Sequence, residues 1–318
     1  MEKRMGAWIL SVICIVVLAV MIYGGQKLGG EGPPAKGSGE KASPSSGSAG
    51  SGSSAAPSQS QPAPLPSDAK EMEEAEFTVF KLGKADAILI ESGGRAMIID
   101  TGEKGDGSKI MAVLNDRGIQ KVDWLILTHL DKDHIGGAAR IIEGVKIDGL
   151  IQSNNEEASD AYEAYTKACE KKGLAPQRLT KPLSFQLADA SVRLLPAAKK
   201  QYEEDNDYSI ITEITLGSRR FLFAGDAEEE RLKEYLSGDV KPFDFVKMPH
   251  HGRKNPLSAA FIRAVLPEYA VITCSKKNPP DSSVVRLLEQ AGAKVFLTSG
   301  GTITAVSDGR TLAVKQTK

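Results

Sequence analysis

The sequence has few histidines, few cysteines and almost no net charge. Its 318 residues include only four His and three Cys, and 40 Lys+Arg residues oppose 41 Asp+Glu residues. Because the net charge is close to zero, overall charge alone does not predict nucleic-acid binding. Two of the cysteines, Cys169 and Cys274, lie in the C-terminal part of the chain, where their spacing allows either a disulfide or two buried thiols.

One long hydrophobic run occurs, and it lies at the N-terminus. Residues 7–23 carry no charge, and as a helix they would span roughly 25 Å, close to the hydrocarbon core of a bilayer. Lys3 and Arg4 precede the run, which predicts a cytoplasmic N-terminus and an exported remainder. We therefore expect residues 1–23 to anchor the protein in the lipid bilayer of the cell membrane as a single pass. A cleaved signal peptide is the alternative, and it would make the remainder a secreted protein.

Residues 24–72 differ sharply from the rest of the chain in composition. They consist mainly of Gly, Ser, Pro, Ala and Gln, a mixture that cannot bury enough apolar surface to offset its conformational entropy. We expect a disordered linker with an end-to-end distance on the order of 40 Å. Such a tether would hold residues 73–318, the predicted extracellular domain, away from the membrane.

Residues 73–318 alternate short β-branched apolar segments with amphipathic ones. Predicted strands such as residues 124–128 fall into two sets along the chain, and predicted helices lie between them. The helix predicted for residues 156–172 ends at Gly173, where a left-handed residue is favoured. Two sets of strands, each with helices, predict an α/β (α+β) domain in which two sheets pack face to face with helices outside.

The four histidines form two pairs. His129 and His134 lie in the segment T-H-L-D-K-D-H-I-G-G, directly after a predicted strand, and this segment also supplies Asp131 and Asp133. Two imidazoles and two carboxylates on one tight loop can surround a metal cation. The two glycines permit a close turn into a following helix.

Two further polar signals also follow predicted strands. Asp226 ends the segment F-L-F-A-G-D, and His250 and His251 end the segment V-K-M-P-H-H. Any one of these residues alone is more often a cap, a turn residue or a solvated group. Because ligands from several strand ends can converge on one site, the joint pattern predicts a metal centre.

These segments together resemble the metallo-β-lactamase superfamily, and within it the soluble domain of the ComEC-type competence proteins. The segment L-G-K-A-D-A-I-L-I at residues 82–90 is similar to that group's G-Q-G-D-A-x-L-I block, with Lys84 and Ala85 in place of Gln and Gly. Residues 99–102 match the early D-x-G element, and residues 206–209 are similar to an N-x-x-S block. The resemblance implies a four-layer αββα metallo-β-lactamase-like sandwich.

The resemblance also implies two divalent ions, Zn²⁺ or Mn²⁺, with Mg²⁺ as a further option. The implied metal ligands are His129, Asp131, Asp133, His134, Asp226 and His250. In this assignment His129 and Asp131 serve the first ion, Asp133 and His134 serve the second, Asp226 bridges them, and His250 completes the second.

The sequence departs from the superfamily's commonest pattern at two ligands. Asp131 stands where a second histidine is usual, and a further histidine expected near residues 206–209 has no counterpart. Carboxylates in place of imidazoles favour Mn²⁺ or Mg²⁺ relative to Zn²⁺. Asp205, Asn206 and Asp207 are candidates for the missing ligand.

The implied chemistry is hydrolysis by water activated between two ions. Asp133, His134 and Asp226 are the implied catalytic residues, and Asn206, Ser209 and His251 are candidates for substrate binding. We expect a metal-dependent phosphodiesterase or nuclease, with DNA as one candidate substrate. A hydrolase of a small ester, thioester or lactam is the first alternative, and a catalytically degenerate binding module is the second.

The basic residues around the second histidine pair allow two interpretations. Lys247, Arg253 and Lys254 could bind a polyanion, or they could form a solvated basic edge. No protein partner can be predicted from the sequence.

Overall fold

The computed structural model describes residues 72–318, which form fifteen strands and seven α-helices. In chain order the strands are β1 (Ala75–Val79), β2 (Ile88–Ser92), β3 (Arg95–Ile99), β4 (Lys121–Leu127), β5 (Lys146–Gln152), β6 (Gln177–Arg178), β7 (Leu183–Leu187), β8 (Ala190–Leu195), β9 (Ile211–Leu216), β10 (Arg219–Phe223), β11 (Phe245–Lys247), β12 (Tyr269–Ile272), β13 (Lys294–Leu297), β14 (Thr302–Ser307) and β15 (Leu312–Thr317). The helices are α1 (Asp106–Asp116), α2 (Lys132–Ile135), α3 (Ala138–Gly144), α4 (Asp160–Lys172), α5 (Glu229–Leu236), α6 (Ser258–Val265) and α7 (Ser282–Gln290).

The predicted membrane anchor, residues 1–23, lies outside the described residues. So does the predicted linker, residues 24–72, except for Met72, whose side chain packs against the core. Within residues 72–318 no helix is both long enough and apolar enough to cross a membrane.

The strands form two mixed sheets. The first has the order β15-β14-β1-β2-β3-β4-β5-β6, and the second has the order β13-β12-β11-β10-β9-β8-β7. Strands β3 to β6 run parallel in the first sheet, and strands β10 to β13 run parallel in the second. Because parallel strands end at the same edge of a sheet, residues that follow them in sequence are brought together there.

The inner faces of the two sheets share one apolar core. Phe77 of β1 stacks on Phe221 of β10, with the ring centroids 4.0 Å apart. Along β3, Met97 belongs to this inner core, whereas Ile98 faces the opposite way, toward the helices. This alternation follows from the two-residue period of a strand and shows that the sheets pack face to face.

Helices cover the outer faces of both sheets. Helices α1, α3 and α4 bury their apolar sides against the first sheet, and α5, α6 and α7 bury theirs against the second. Two mixed sheets flanked by helices were predicted from the sequence, and this architecture is confirmed.

The two cysteines of the domain are free buried thiols. Cys169 lies on helix α4 in the core outside the first sheet, whereas Cys274 follows β12 in the core outside the second. Burial raises the pKa of the Cys169 thiol to about 11. Of the two alternatives that the sequence left open, the structure therefore has the pair of thiols and no disulfide between them.

Helix α4 shows how local chemistry sets the element boundaries. It begins at Asp160 and not at residue 156 as predicted, because the Ser159 side chain caps it by accepting a hydrogen bond from the Tyr162 amide at 3.3 Å. It ends as predicted at Gly173, which adopts a left-handed conformation with φ 65°.

Candidate metal centre

Buried histidines and aspartates from both sheets converge at the ends of the parallel strands. Within each of four overlapping groups, the potential ligand atoms lie within 4.8 Å of one another. The groups are His129, His134 and Asp226; Asp133, His134 and His251; Asp86, Asp226 and His251; and Asp86, Asp100 and His134. Each residue follows a strand of one sheet, except Asp86, which lies in the loop between β1 and β2.

Glycines shape the segments that carry these ligands. A Cβ atom at Gly137 would lie 2.2 Å from the carbonyl oxygen of Thr101, so this position accepts no larger residue without movement of the backbone. Gly225, directly before Asp226, has a φ of 54°, in the left-handed region that glycine adopts without steric cost. The two glycine-containing motifs of the sequence therefore set the path of the chain around the site.

Asp100 orients two of the histidines. Its carboxylate lies 2.8 Å from Nδ1 of His134 and accepts a hydrogen bond from the Thr128 hydroxyl at 2.7 Å. Nδ1 of His129 is 3.2 Å from the same hydroxyl oxygen. Because that hydroxyl already donates to Asp100, it can only accept a hydrogen bond from the ring of His129. Nδ1 therefore carries a hydrogen in both rings, so that in the neutral form of each ring Nε2 has the lone pair.

The ring of His251 is oriented in the same way, by the hydroxyl of Thr273 and the carboxylate of Asp86. Its Nδ1 is 3.0 Å from the hydroxyl of Thr273, and that hydroxyl donates to Asp86 at 2.5 Å. The ring of His251 is thus also held with Nε2 directed into the site. Outer carboxylates that fix the tautomer of a histidine in this way are typical of metal centres.

The free Nε2 atoms test whether the residues fit a metal ion. Nε2 of His129, of His134 and of His251 is buried, and no well-directed hydrogen bond within residues 72–318 satisfies any of the three, although Oδ2 of Asp226 lies 3.3 Å from the second and 3.0 Å from the third. A buried polar atom without a partner is costly unless a ligand satisfies it. Three such atoms beside ionised carboxylates match the donor set of a divalent transition metal ion.

Asp226 lies between the histidines. Its Oδ2 is 3.3 Å from Nε2 of His134 and 3.0 Å from Nε2 of His251. Burial alone would raise the pKa of Asp226, but the charges of His251, His134 and Lys247 hold it well below its usual range. An ionised carboxylate therefore stands at the point where the ligand groups overlap.

Asp133 faces His251 and Lys84, a lysine to which no role was assigned from the sequence. Asp133 Oδ2 lies 3.5 Å from Nε2 of His251 and 2.5 Å from Nζ of Lys84, a residue of the loop between β1 and β2. Burial opposes ionisation of Asp133, yet the contacts to His251, His134 and Lys84 hold its pKa far below the usual range. The Lys84 side chain is 38% exposed, so its ammonium group marks the solvent side of the site.

Lys247 belongs to the interior and not to a basic surface. It is fully buried at the end of β11, where its ammonium group contacts Asp86, donates to the Gly225 carbonyl at 2.9 Å and lies 3.5 Å from Asp226 Oδ1. Both sequence-based interpretations of Lys247, polyanion binding and a solvated edge, are therefore wrong. Its charge balances carboxylates beneath the ligand groups.

The structure places His250 and His251 differently from the sequence-based assignment, in which His250 was the metal ligand. His250 and His251 have left-handed backbone conformations, with φ 42° and 51°, in the tight turn Pro249–Gly252. This turn directs His251 toward Asp133 and Asp226, while Nδ1 of His250 lies 2.7 Å from Oε1 of Glu228. In this geometry His251, and not His250, stands beside the second set of ligands.

The residues expected to bind substrate lie beside and beneath Asp226. Asn206 donates from its side-chain amide to Glu228 at 2.9 Å. Ser209 is buried, and its hydroxyl accepts a hydrogen bond from the backbone amide of Asp226 at 3.1 Å. Ser209 thus positions Asp226, and its burial leaves it no surface to offer a substrate.

Asp131 stands at the margin of the site. Its Oδ2 is 3.8 Å from Nε2 of His129, and its side chain is 40% exposed. Asp131 also forms a more accessible group with Glu157 and Asp205, whose carboxylate oxygens lie within 4.8 Å of one another. Burial, reinforced by surrounding carboxylates that include Asp205, raises the pKa of Asp131 to about 6.

We expect replacement of Asp100 by alanine to weaken Mn²⁺ binding about 10–100-fold, because His134 loses the acceptor that fixes its ring. Isothermal titration of the metal-free protein measures the effect. Asp123→Ala is the matched control, since Asp123 is also buried but accepts from the Ala96 amide and pairs with Arg95. Equal Mn²⁺ affinities in wild type and Asp100→Ala would contradict an orienting role.

Known proteins resemble this chain over the whole region of the site. A family model described as "Metallo-beta-lactamase superfamily" matches residues 81–276. ComE operon protein 3 of Bacillus subtilis is 27% identical over 255 residues, which cover 72% of this chain and 33% of that protein. Competence protein ComA of Neisseria gonorrhoeae is 26% identical over 238 residues, covering 73% of this chain and 32% of that protein. The chain thus spans about a third of the length of these relatives.

A solved structure supports the same fold. The metallo-β-lactamase fold protein YhfI from Bacillus subtilis superimposes with a TM-score of 0.50 at 14% sequence identity, covering 71% of this chain and 96% of that chain. At this identity the likeness concerns the fold alone. Together with the family match and the competence proteins, it confirms the resemblance stated from the sequence.

Proposed function

The chain belongs to the metallo-β-lactamase superfamily, and we propose that its buried site holds two divalent ions and hydrolyses phosphodiester bonds. The position of Asp226 carries this proposal. Its carboxylate is buried, lies within 3.3 Å of the Nε2 atoms of two histidines, and belongs to two of the ligand groups. A carboxylate so placed can bridge two ions, which is the arrangement that hydrolytic two-metal centres require.

The residues available as ligands divide between two ions. We assign His129 and Asp131 to the first ion, Asp133, His134 and His251 to the second, and Asp226 to both. This set differs from the sequence-based one in a single residue, because His251 takes the place of His250.

The chemistry of such a site is shared between the ions and the chain. Two bound divalent ions would lower the pKa of a water molecule and draw negative charge from the phosphoryl oxygens. Asp133, held ionised by its neighbours, can orient the attacking water through a hydrogen bond. Lys84, half-exposed beside Asp133, can neutralise a phosphate oxygen of the substrate. The charges of His251 and His134, and after them that of Lys247, lower the pKa of Asp226 and keep it ionised.

The donor set favours a phosphodiester over a lactam or a simple ester. Carboxylates supply half of the six proposed ligands, including Asp131 at a position where the superfamily commonly has histidine. Hard oxygen donors suit Mn²⁺ and Mg²⁺, ions that bind phosphate oxygens readily. One relative is described as a competence protein and another as a product of the ComE operon, and this supports DNA as the polymer to test first.

The first experiment measures hydrolysis of bis-p-nitrophenyl phosphate and of single-stranded DNA by the full chain, with Mn²⁺, Mg²⁺ or Zn²⁺ added. We expect turnover that requires metal and disappears in the double variant Asp133→Ala, His134→Ala. Absence of turnover with two ions bound would reject the phosphodiesterase and favour a small ester, thioester or lactam. A protein that binds no metal would instead favour a binding module.

Replacing Lys84 by glutamine should lower kcat/KM for the phosphodiester about 10–100-fold, because a charged hydrogen bond contributes roughly 1.5–3 kcal/mol. The stoichiometry of bound metal should not change. Lys81→Gln removes the same charge from an exposed position three residues earlier and serves as the matched control. An unchanged kcat/KM in Lys84→Gln would show that Lys84 does not contact the substrate.

We also propose that the protein is tethered to the cell membrane with this domain outside the cell. The support is the uncharged run of residues 7–23 and the preceding Lys3 and Arg4, which favour an uncleaved anchor with a cytoplasmic N-terminus. Extraction of membranes with alkaline carbonate, followed by protease treatment of intact cells, tests both parts. Release by carbonate would contradict the anchor, and protection from protease would contradict the orientation.

A further inference from the structure

We propose that Asp205 and Glu157 complete the first cation site, together with Asp131 and His129, and that this site takes a hard divalent cation such as Mn²⁺. The inference rests on the proposed two-ion function, and it identifies the ligands that stand in for the histidine absent near residues 206–209.

Three separate segments bring the carboxylates together. Asp131 precedes α2, Glu157 lies between β5 and α4, and Asp205 begins the short 3₁₀ turn Asp205–Tyr208. One carboxylate oxygen from each lies within 4.8 Å of the others. Like charges at this separation repel one another, and a cation between them would offset that repulsion.

A buried imidazole provides the second, independent observation. The ring of His129 is completely buried, and its Nε2 atom has no hydrogen-bond partner among the described residues. This atom lies 3.8 Å from Oδ2 of Asp131 and is also grouped with Asp226, so it stands between Asp226 and the Asp131 side of the acidic group. Because Nδ1 of His129 carries the ring hydrogen, Nε2 has a free lone pair. A cation beside Asp131 would accept that lone pair.

Asn206 and Asp207, which follow Asp205, already have other hydrogen-bond partners. Asn206 donates its side-chain amide to Glu228 at 2.9 Å. Asp207 is buried and accepts hydrogen bonds from the backbone amides of Glu228 and Arg231, each at 3.0 Å, at the start of α5. Of the three candidates that the sequence offered for the missing ligand, only Asp205 directs its carboxylate toward Asp131.

The donor atoms decide the class of cation. Three carboxylates and one imidazole form an oxygen-rich set, to which Asp226 adds a further carboxylate. Such a set favours Mn²⁺ or Mg²⁺, whereas Zn²⁺ sites usually contain more nitrogen or sulfur. The exposed side of the group also leaves room for water and substrate oxygens.

The experiment titrates the metal-free full chain with Mn²⁺, using calorimetry for stoichiometry and electron paramagnetic resonance for coupling between ions. We expect two Mn²⁺ per wild-type chain with a coupled signal. Asp205→Asn and Glu157→Gln should each weaken one of the two sites at least about tenfold. The double variant should retain a single, uncoupled Mn²⁺ at the group around Asp133, His134 and His251.

Glu156→Gln and Glu203→Gln are the matched controls. Each removes one negative charge within two residues of a proposed ligand, from an exposed residue outside the group, and each should leave both affinities unchanged. Two undiminished Mn²⁺ sites in the double variant would overturn the inference but leave the two-ion function intact. A wild-type chain that binds no Mn²⁺ would overturn both, which separates the two failures.

Discussion

Asp226→Asn should lower kcat/KM for phosphodiester hydrolysis about 10³-fold. Asparagine keeps the shape of the side chain but removes the charge that faces Nε2 of His134 and Nε2 of His251. Stabilisation of charge by bound metal supplies several kcal/mol to such reactions, and each 1.36 kcal/mol is a factor of ten in rate. The measurement is kcat/KM with bis-p-nitrophenyl phosphate at saturating Mn²⁺, together with the metal content of the purified variant.

The control for Asp226→Asn is Asp160→Asn, the same change at an exposed position in the first turn of α4. It should retain activity and metal. If Asp226→Asn kept both bound ions and lost less than about tenfold in kcat/KM, Asp226 would not be a shared ligand. Normal far-ultraviolet circular dichroism of the variant would separate loss of the site from loss of the fold.

Lys247→Met should lower the free energy of unfolding by about 3–5 kcal/mol, the usual cost of removing one partner from a buried ion pair. Lys247 is fully buried, and its ammonium group contacts Asp86 and lies 3.5 Å from Asp226 Oδ1. Burial alone would lower the pKa of Lys247, but the charges of Asp86 and Asp226 raise it above its usual value. Methionine fills a similar volume, so the loss should come from the two carboxylates left without a cation.

Urea unfolding in the presence of a chelator measures the effect of Lys247→Met. The double variant Lys247→Met, Asp86→Asn removes a charge of each sign and should regain part of the loss, as a double-mutant cycle requires for a direct interaction. Lys294→Met is the matched control, since its ammonium group is largely exposed and 4.0 Å from Glu268, and exposed pairs contribute at most about 1 kcal/mol. A loss no larger in Lys247→Met would contradict the buried pair.

The arrangement of two sheets and outer helices could be predicted because the buried strands carry a strong signal. Strand β12 is apolar and buried throughout, strand β4 ends in the apolar residues 124–127, and several helices end at glycine. Strands β6, β7 and β15 were missed. All three lie at sheet edges. Both residues of β6 are exposed, and β7 and β15 expose alternate residues, so their sequences resemble those of a loop.

Most residues of the buried His and Asp clusters could also be predicted, because the histidines are few and follow strands. Which of His250 and His251 points into the site could not be predicted, because it depends on two successive residues with left-handed backbone conformations. No side-chain pattern specifies such a turn. Asp86 and Asp100 lie in the quoted motifs but were given no role as ligands or orienting groups. Lys247 was misassigned because a single charged residue at a strand end does not reveal that Asp86 from a loop of the opposite sheet and Asp226 after the neighbouring strand lie beside it.

The candidate ligands belong to both halves of the molecule: His129 and His134 follow a strand of the first sheet, whereas Asp226 and His251 follow strands of the second. Bound ions would therefore fasten the two sheets together at their common edge. A ligand present at about a thousand times its dissociation constant adds about 4 kcal/mol to the stability of the folded state. Metal supply would then govern how long the protein survives proteases as well as how fast it works, so cells starved of the ion should contain less of it.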